Sequence, residues 1–516
     1  MKLQSPNKPT LSNNIPFTPV TPVKWLYIAI IVSLVIRIIV AYAIPMTGDE
    51  AYFVTWGKNL DYGYYDHPPM VGWILSFALL FGDAVVWLRL PGIVMFTFMG
   101  IAIYRLLKDI DETKAILAAI LFLFAPLNLL SVLITTDTPL IVFSFVSAMF
   151  FYQAQQNDHY LKYLLAGLFL GLAFYSKFFA GLLGLAYFFY IVLFVGKQRG
   201  VKPYIGIGIL LLGVIPFISL NLIWNYNNCW NNYLFNLINR TSDAQFSFST
   251  LGIYLGLLAY LITPPIIWFA FKQSKQQYVD LLKHPLGLFL GLFLIPLILF
   301  LFLSLFKKIG LHWLLSFYPF MFIVVGQFFS VKQLQNTLKF IIPFSVLHLG
   351  LIAFILLSAP GLFEKNENTY KDVIYGIKND VILEKLAEYK SDYIFATDSY
   401  VESAILSYTS RQHVIVLGHG SHHAREDDKR TDFRKLEGKN ILLVSYSNKL
   451  DYLNDFFDSV EIKPLQIEKA TFYYALGRGF KYKGYRNTVI QTTLDRFYQI
   501  PKWLPTGQCY MEEMYQ

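Results

Sequence analysis

The stretch Lys24-Trp-Leu-Tyr-Ile-Ala-Ile-Ile-Val-Ser-Leu-Val-Ile-Arg37-Ile-Ile-Val-Ala-Tyr-Ala-Ile44-Pro45 decides the class of this chain. It is long enough to cross a ~30 Å hydrocarbon core, which takes about 20 apolar residues, and it holds one charge. Comparable apolar runs follow at about 84–106, 115–134, 138–155, 161–176, 178–195, 203–222, 250–271, 286–306, 311–330 and 338–359. The expectation is a multi-pass α-helical membrane protein of about eleven spans. The run 161–195 is too long for one ordinary span, and Ser176-Lys177 at its centre predicts a tight hairpin of two short helices. Residues 69–81 are too short to cross and are expected to lie in the interface, anchored by Trp73.

Composition agrees. Of 516 residues, 55% are hydrophobic and only 15% charged, and mean hydropathy is +0.46, which excludes an ordinary soluble enzyme and a disordered chain. Residues 361–516 differ: they carry a net charge of −1 against +10 for 1–360. Their strand-like runs 393–396, 413–417 and 441–444, separated by helical spacing at 379–390 and 449–458, predict a soluble α/β domain. The charged stretch Gly418–Lys439 is expected to loop out. The basic balance belongs to the membrane half, so no nucleic-acid partner is expected. The polar, proline-containing residues 1–23 show no cleavable signal pattern and are read as a cytoplasmic tail.

Loop charges set the orientation. With the N-terminus inside, fifteen Lys and Arg fall in cytoplasmic loops and only Lys58, Lys177, Arg240, Lys307 and Lys308 fall outside, as the positive-inside rule requires. This places an inner (plasma) membrane protein with domain 361–516 in the periplasm. Cys229 and Cys509 both fall outside, where a bond is permitted, two unpaired thiols being the plainer reading.

The outer loops hold the unusual chemistry. The first (46–83) contains Asp49 and Glu50, then Tyr65-Asp66-His67-Pro68-Pro69. Thr47-x-x-Glu50 is a capping box for a helix over about 48–60, which accounts for Glu50 without a ligand. Asp49 is less well explained, because a first-turn acid gains only a few tenths of a kcal/mol from the helix dipole. It is the leading candidate for a catalytic acid or base. Asp66 reads either as a substrate contact or as a cap for the interfacial helix; His67 is placed to meet a phosphate. Asp137 is a natural N-cap for a helix from Thr138, or an acid facing a cavity at membrane depth. Lys177, Lys307 and Lys308 stand against the charge rule: they snorkel to headgroups or bind an anionic phosphate. Trp224 and Asn225, in the asparagine-rich loop that runs on to Arg240, suit a sugar or serve as hydrated loop residues with interfacial anchors. No HExxH, CxxC or clustered His points to a metal.

Asp49-Glu50-Ala-Tyr, Tyr64-Tyr-Asp-His-Pro-Pro, Thr-Asp137-Thr-Pro, Gly171-Leu-Ala-Phe-Tyr-Ser-Lys177-Phe, Asn221-Leu-Ile-Trp-Asn and His312-Trp313 through Phe317-Tyr318-Pro319 occur in that order. Together they resemble the bacterial membrane glycosyltransferases of the type-C fold, the group holding the aminoarabinose lipid A transferase and relatives of the protein mannosyltransferases. The resemblance covers about 45–330. It implies a polyprenyl-phosphate sugar donor, transfer with inversion, and an acceptor in lipid A, another envelope glycan or protein. It implies Asp49, with Glu50 and Asp137, as the acids of the site. His67, Lys177, Lys307 and Lys308 would meet the donor phosphate, and Tyr65, Asp66, Trp224, Asn225, His312 and Tyr318 would line the substrate. His67 stands where close lipid A transferases have Lys, a departure from the aminoarabinose enzyme's pattern. No cofactor is required and a divalent metal is not indicated. The rival from another class, a lipid-linked sugar transporter or flippase, expects charges at mid-membrane, and Arg37 is the main one here.

Overall fold

A computed structural model describes residues 22–239, 245–418 and 425–515. The N-terminal tail, Arg240 and the part 419–424 of the charged stretch lie outside the described residues. Each expected apolar run carries helix. Helix α1 is Lys24–Ala43, and the first outer loop holds α2 (Gly48–Lys58) and α3 (Met70–Leu79) before α4 (Val85–Leu107). The hairpin at Ser176-Lys177 separates helices Tyr160–Phe174 and Ala180–Tyr190. Among the described residues, four helices are long and apolar enough to cross a bilayer singly (α1, α4, Lys202–Tyr226 and Val331–Phe363), or up to six if two sharply bent pairs each count as a span. The remaining runs form shorter helices, several broken at proline: Glu112–Phe124 ends before Pro126, and Phe248–Ile262 turns by 88° into Pro264–Phe271.

Close packing holds the bundle. A Cβ on Gly167 would stand 2.0 Å from the Leu210 carbonyl oxygen, and one on Gly213 would stand 2.7 Å from that of Leu164. Helices Tyr160–Phe174 and Lys202–Tyr226 therefore approach backbone to backbone, as small residues permit in lipid-facing bundles. Arg37, fully buried, donates to the Thr97 hydroxyl at 3.3 Å and the Leu123 carbonyl at 3.4 Å.

The tail contains a five-stranded sheet: β1 (Ile394–Thr397), β2 (Ile415–Val416), β3 (Ile441–Ser445), β4 (Ser459–Ile467) and β5 (Ala470–Arg478), in the order β2-β1-β3-β5-β4. The first three are parallel and match the expected apolar runs. The β4-β5 antiparallel hairpin was not foreseen; its outer strand alternates and carries Pro464, tolerated because β4 is an edge. Helix Tyr400–Ser410 packs on α2, and a Cβ on Gly48 would meet Val401 at 2.3 Å. The stretch expected to loop out instead folds back as helix Asp427–Arg430 and a 3-10 turn Phe433–Leu436. A disulfide joins Cys229 to Cys509 across 280 residues, so the bonded reading holds and the unpaired one does not.

Candidate active site at the ends of the helices

The capping box forms as its sequence dictates. The Glu50 N–H donates to the Thr47 hydroxyl and the Glu50 carboxylate accepts from the Thr47 N–H at 3.2 Å. That carboxylate is fully buried and also takes two donors from buried Arg89, at 2.6 and 2.8 Å, and the Ile134 N–H at 3.1 Å. All its acceptor capacity goes to protein groups, so the structure shows Glu50 as a buried, paired carboxylate next to Asp49. Arg89 also donates to the carbonyls of Ala41, Ile44 and Pro45.

Asp49, one residue earlier, points the other way and is solvent-accessible. Desolvation by the surrounding protein raises its carboxyl above the ordinary aspartate range, Glu50 adds to this, and the charges of Arg425 and Lys177 pull it down. Asp49 and Lys177 thus share one electrostatic neighbourhood although 128 positions separate them.

Lys177 closes the helical hairpin. The Met70 N–H donates to the Tyr175 carbonyl at 3.1 Å, fastening α3 to the hairpin and bringing the Asp66-His67 turn beside it. The Lys177 ammonium donates to both oxygens of Asp137, at 2.8 and 3.0 Å. Asp137 is not a cap: the N-cap position is Thr136, without a side-chain hydrogen bond, and the carboxylate is spent on Lys177. Both side chains are only slightly exposed, which fixes the position and charge of the lysine while leaving one of its three N–H donors for another acceptor.

A cavity of about 390 Å³ opens beside this pair. His67, Lys177 and Lys307 line it with Asn236, and its walls are Phe178, Phe179, Leu299, Phe300, Leu303 and Trp313. Trp313 packs on Phe179 with ring centroids 4.7 Å apart. Three of the four residues expected at a phosphate therefore converge; Lys308 does not, being exposed and turned away from the cavity. His312 is likewise exposed outside it, and its neighbour Trp313 takes the place expected for it. Tyr318 is buried in the helical core against Phe322 and does not line the cavity.

The remaining expected residues form a seam between the outer loops and the tail. Tyr65 is buried between Phe235 and Tyr498, and its N–H donates to the Glu426 carboxylate at 3.0 Å. The Trp224 indole donates to Asp61 at 2.9 Å, and Lys429 bridges Asp61 and Asn228 at 2.6 and 2.8 Å. Asn225 is fully buried, donating to Asn221 and accepting from the Asn232 N–H. Asp66 does not cap α3, whose N-cap is Pro69. It is buried, accepts a long 3.5 Å bond from Tyr52, and its charge supports that of Arg425. Trp224 and Asn225 thus bond within the joint and do not line the cavity. Sequence reading missed Arg425, whose guanidinium lies 4.9 Å from the Phe235 ring and 4.7 Å from Tyr400, and it missed Asn236 and Trp313. Arg425 gave no signal, because its stretch reads as a polar loop; aromatic Trp313 had one in its place beside the wrong-side lysines. Among the described residues, no three His, Cys, Asp or Glu converge as a metal site would need.

Comparison with known proteins follows this geometry. Residues 66–224 match the family described as dolichyl-phosphate-mannose-protein mannosyltransferase. The lipid A galacturonosyltransferase RgtD of Rhizobium johnstonii is 27% identical over 249 residues, 45% of this chain; the chain spans about half (49%) of that relative's length. The crystal structures of ArnT from Cupriavidus metallidurans, one bound to undecaprenyl phosphate and one in the apo state, superpose with a TM-score of 0.59 over 88% of this chain and 98% of theirs, at 13% and 14% identity. The fold is the one that the resemblance to type-C membrane glycosyltransferases implied.

Proposed function

We propose that this chain, with the fold of a type-C membrane glycosyltransferase, moves a sugar from a polyprenyl-phosphate carrier to an acceptor on the outer face of the inner membrane. The acceptor we favour is lipid A or another envelope glycolipid. The observation that carries the reading is the groove: an apolar cavity walled by Phe179, Phe300 and Trp313 with Lys177, Lys307 and His67 in it suits an isoprenoid ending in phosphate. A prenyl phosphate leaves only if its growing negative charge is stabilised, and cations held beside an apolar wall do that strongly. Asp49, with its raised pKa, is the base for an acceptor hydroxyl; an acceptor phosphate is already anionic and needs none. Attack opposite the departing phosphate inverts the sugar's anomeric carbon. No cofactor or metal enters the proposal.

The eleven-span topology with a cytoplasmic N-terminus and a periplasmic tail belongs to the same reading. It is supported by the lysine asymmetry and by the Cys229–Cys509 bond, which needs an oxidising compartment on that side. ArnT was crystallised with undecaprenyl phosphate and RgtD is named for lipid A, which favours this donor and acceptor over a protein hydroxyl. A flippase is disfavoured by Arg37, whose two hydrogen bonds close it between helices.

Mass spectrometry of lipid A and surface glycans from cells with and without the gene tests the reading. Loss of one hexose-class or pentose-class mass from lipid A supports it; unchanged lipid A with a lost protein glycan selects the mannosyltransferase-like alternative. Cells carrying Asp49→Asn should reproduce the deletion while keeping the protein in the membrane.

A further inference from the structure

On the opposite side of α2 from Asp49 lies a second recess, of about 180 Å³, between that helix and the tail. Ala51, Thr55 and Lys58 line it from α2. They stand two, six and nine residues beyond Asp49, which at 3.6 residues per turn puts them roughly half a turn out of phase with it. The recess is therefore separate from the groove and shares none of its lining residues.

Its chemistry is one-sided. Lys58, Arg411 and Arg430 face into it, with Asn59 and Gln412 as neutral donors. Neither Lys58 nor Arg430 has a hydrogen bond or ion pair among the described residues, and Arg411 pairs with Asp83 at 2.9 Å. Desolvation and the charges of Arg411 and Arg430 lower the Lys58 pKa, and Asp83 is the one carboxylate opposing them. Gathering three cations from two parts of the chain costs repulsion that an anion would relieve. The cluster also stands where outer loops are otherwise poor in Lys and Arg.

Its position names the anion. Asp83 precedes the start of α4 by two residues, and the Tyr408 hydroxyl donates to its carbonyl at 2.6 Å, so the recess rests on the end of a membrane span. Just before Asp83 in the chain, the end of α3 and the turn after it expose Phe77, Leu80 and Phe81, with Trp87 following. Apolar side chains exposed on the turn that leads to Asp83, which pairs with Arg411 of the cationic recess, are an arrangement that a lipid's acyl chains and phosphate fit together.

We infer that this recess is a second anion site, which holds the phosphate of a membrane lipid headgroup at the outer surface while Phe77, Leu80 and Phe81 enter the acyl region. The leaflet follows from the orientation proposed above; the site does not depend on the sugar-transfer reading.

Full-length protein, delipidated in detergent, is titrated with phosphatidylglycerol, diacylglycerol or inorganic phosphate and followed by native mass spectrometry. Phosphatidylglycerol should be retained and diacylglycerol should not, and Arg430→Glu should cut retention at least fivefold. Lys58→Gln, a mild change on an exposed helix position, should cut it in the same direction, guarding against misfolding of the first variant. Lys177→Ala should leave retention unchanged although it removes sugar transfer, so the two readings fail separately. Equal retention in wild type, Arg430→Glu and Lys58→Gln overturns the site. Loss of retention in Lys177→Ala would move it to the donor groove, and retention of inorganic phosphate as strong as that of the lipid would overturn the lipid assignment.

Discussion

In the groove, Lys177, Lys307 and His67 line a space walled by Phe179, Phe300 and Trp313, whereas at the seam Asp61 accepts from Trp224 and from Lys429 of the tail, Tyr65 donates its N–H to Glu426 of the tail, and Asn225 bonds to Asn221 and Asn232. Both regions draw on the same outer loops and the same residue types. What separates them is where the donors and acceptors go. Seam residues spend theirs on joining the loops to the tail; in the groove, Lys177 makes two bonds to Asp137 and keeps a third N–H donor beside the apolar cavity that it lines. Composition does not tell these apart, because the partners of Asp61 and Tyr65 across the seam lie 163 to 368 positions away along the chain.

The buried Glu50–Arg89 pair should show the largest effect. Glu50→Gln leaves the Arg89 guanidinium buried with a neutral partner, and removing one member of a buried pair costs about 3–5 kcal/mol. The expected result is poor accumulation and a strongly lowered unfolding midpoint in detergent, with partial recovery on adding Arg89→Met. A Glu50→Gln protein as stable as wild type and lacking only transfer would return Glu50 to the chemistry.

Lys177→Ala comes next. Loss of one preorganised donor at a developing oxyanion costs roughly 10²–10³ in turnover, here read as sugar transferred per membrane-embedded protein, with the unfolding midpoint far less affected than by Glu50→Gln. Lys177→Arg should recover part of the rate, because Arg keeps the charge but alters the geometry beside Asp137. If Asp137→Asn and Lys177→Ala both leave the rate intact, the pair is only a clasp and belongs with the seam.

At the seam itself, Cys229→Ser should lower stability by about 2–4 kcal/mol, since the bond closes a very long loop in the unfolded chain. The sharp outcome is in the distribution of the loss: limited proteolysis should release the tail while the helical part stays intact, and Cys509→Ser should match it.

How much of this was legible in the sequence follows the same division. The long apolar helices were, since a span must satisfy its own backbone and therefore announces itself as one continuous apolar run; of the eleven runs expected to cross, four form helices long enough among the described residues, or six with the bent pairs, and the rest form shorter helices. The buried strands β1 and β3 were, for a similar reason. The β4-β5 hairpin was not, because an edge strand with Glu461, Lys463 and Pro464 resembles a loop in composition. Lys177 and Lys307, which line the cavity, stood out as cations on the disfavoured side, His67 as a histidine beside a Pro-Pro turn, and Asp49 as an acid next to a cap that Glu50 already fills. Arg425 and Lys429 violate nothing where they stand in the chain, and only the folding back of 425–436 brings them to the outer loops. Trp224 and Asn225 erred the other way: amides among indoles suit a sugar, and they equally suit each other.

The seam should also respond to pH. Burial pushes the Glu426 carboxyl up to about 8, against the pull of Lys429 and the Tyr65 N–H. The folded state thus holds this proton more tightly than the unfolded chain does. Its contribution to stability is complete below the ordinary glutamate pKa and is lost as pH rises toward 8. Wild-type protein should therefore show a falling unfolding midpoint between pH 5 and 9, flattened in Glu426→Gln. The proposed role of Asp49 as base predicts the opposite dependence in transfer rate, because a carboxyl accepts a proton only once deprotonated and the raised pKa moves that limb above the usual aspartate range.

The smallest effect is the most discriminating test of the groove's outline. Lys307 and Lys308 are adjacent, equally charged and equally disfavoured by loop statistics, yet only Lys307 lines the cavity, while Lys308 is exposed. An exposed lysine acting across solvent is screened within about 8–10 Å at ordinary salt, so Lys308→Ala should change transfer by less than about twofold, whereas Lys307→Ala should cost at least tenfold and raise the donor concentration needed for half-maximal rate. Equal losses in the two variants would mean that the donor phosphate is held by the general positive field of this loop and not by the positions facing the groove. A large loss in Lys308→Ala alone would mean that the loop turns over when the carrier binds, moving the groove's cationic edge from one lysine to the next.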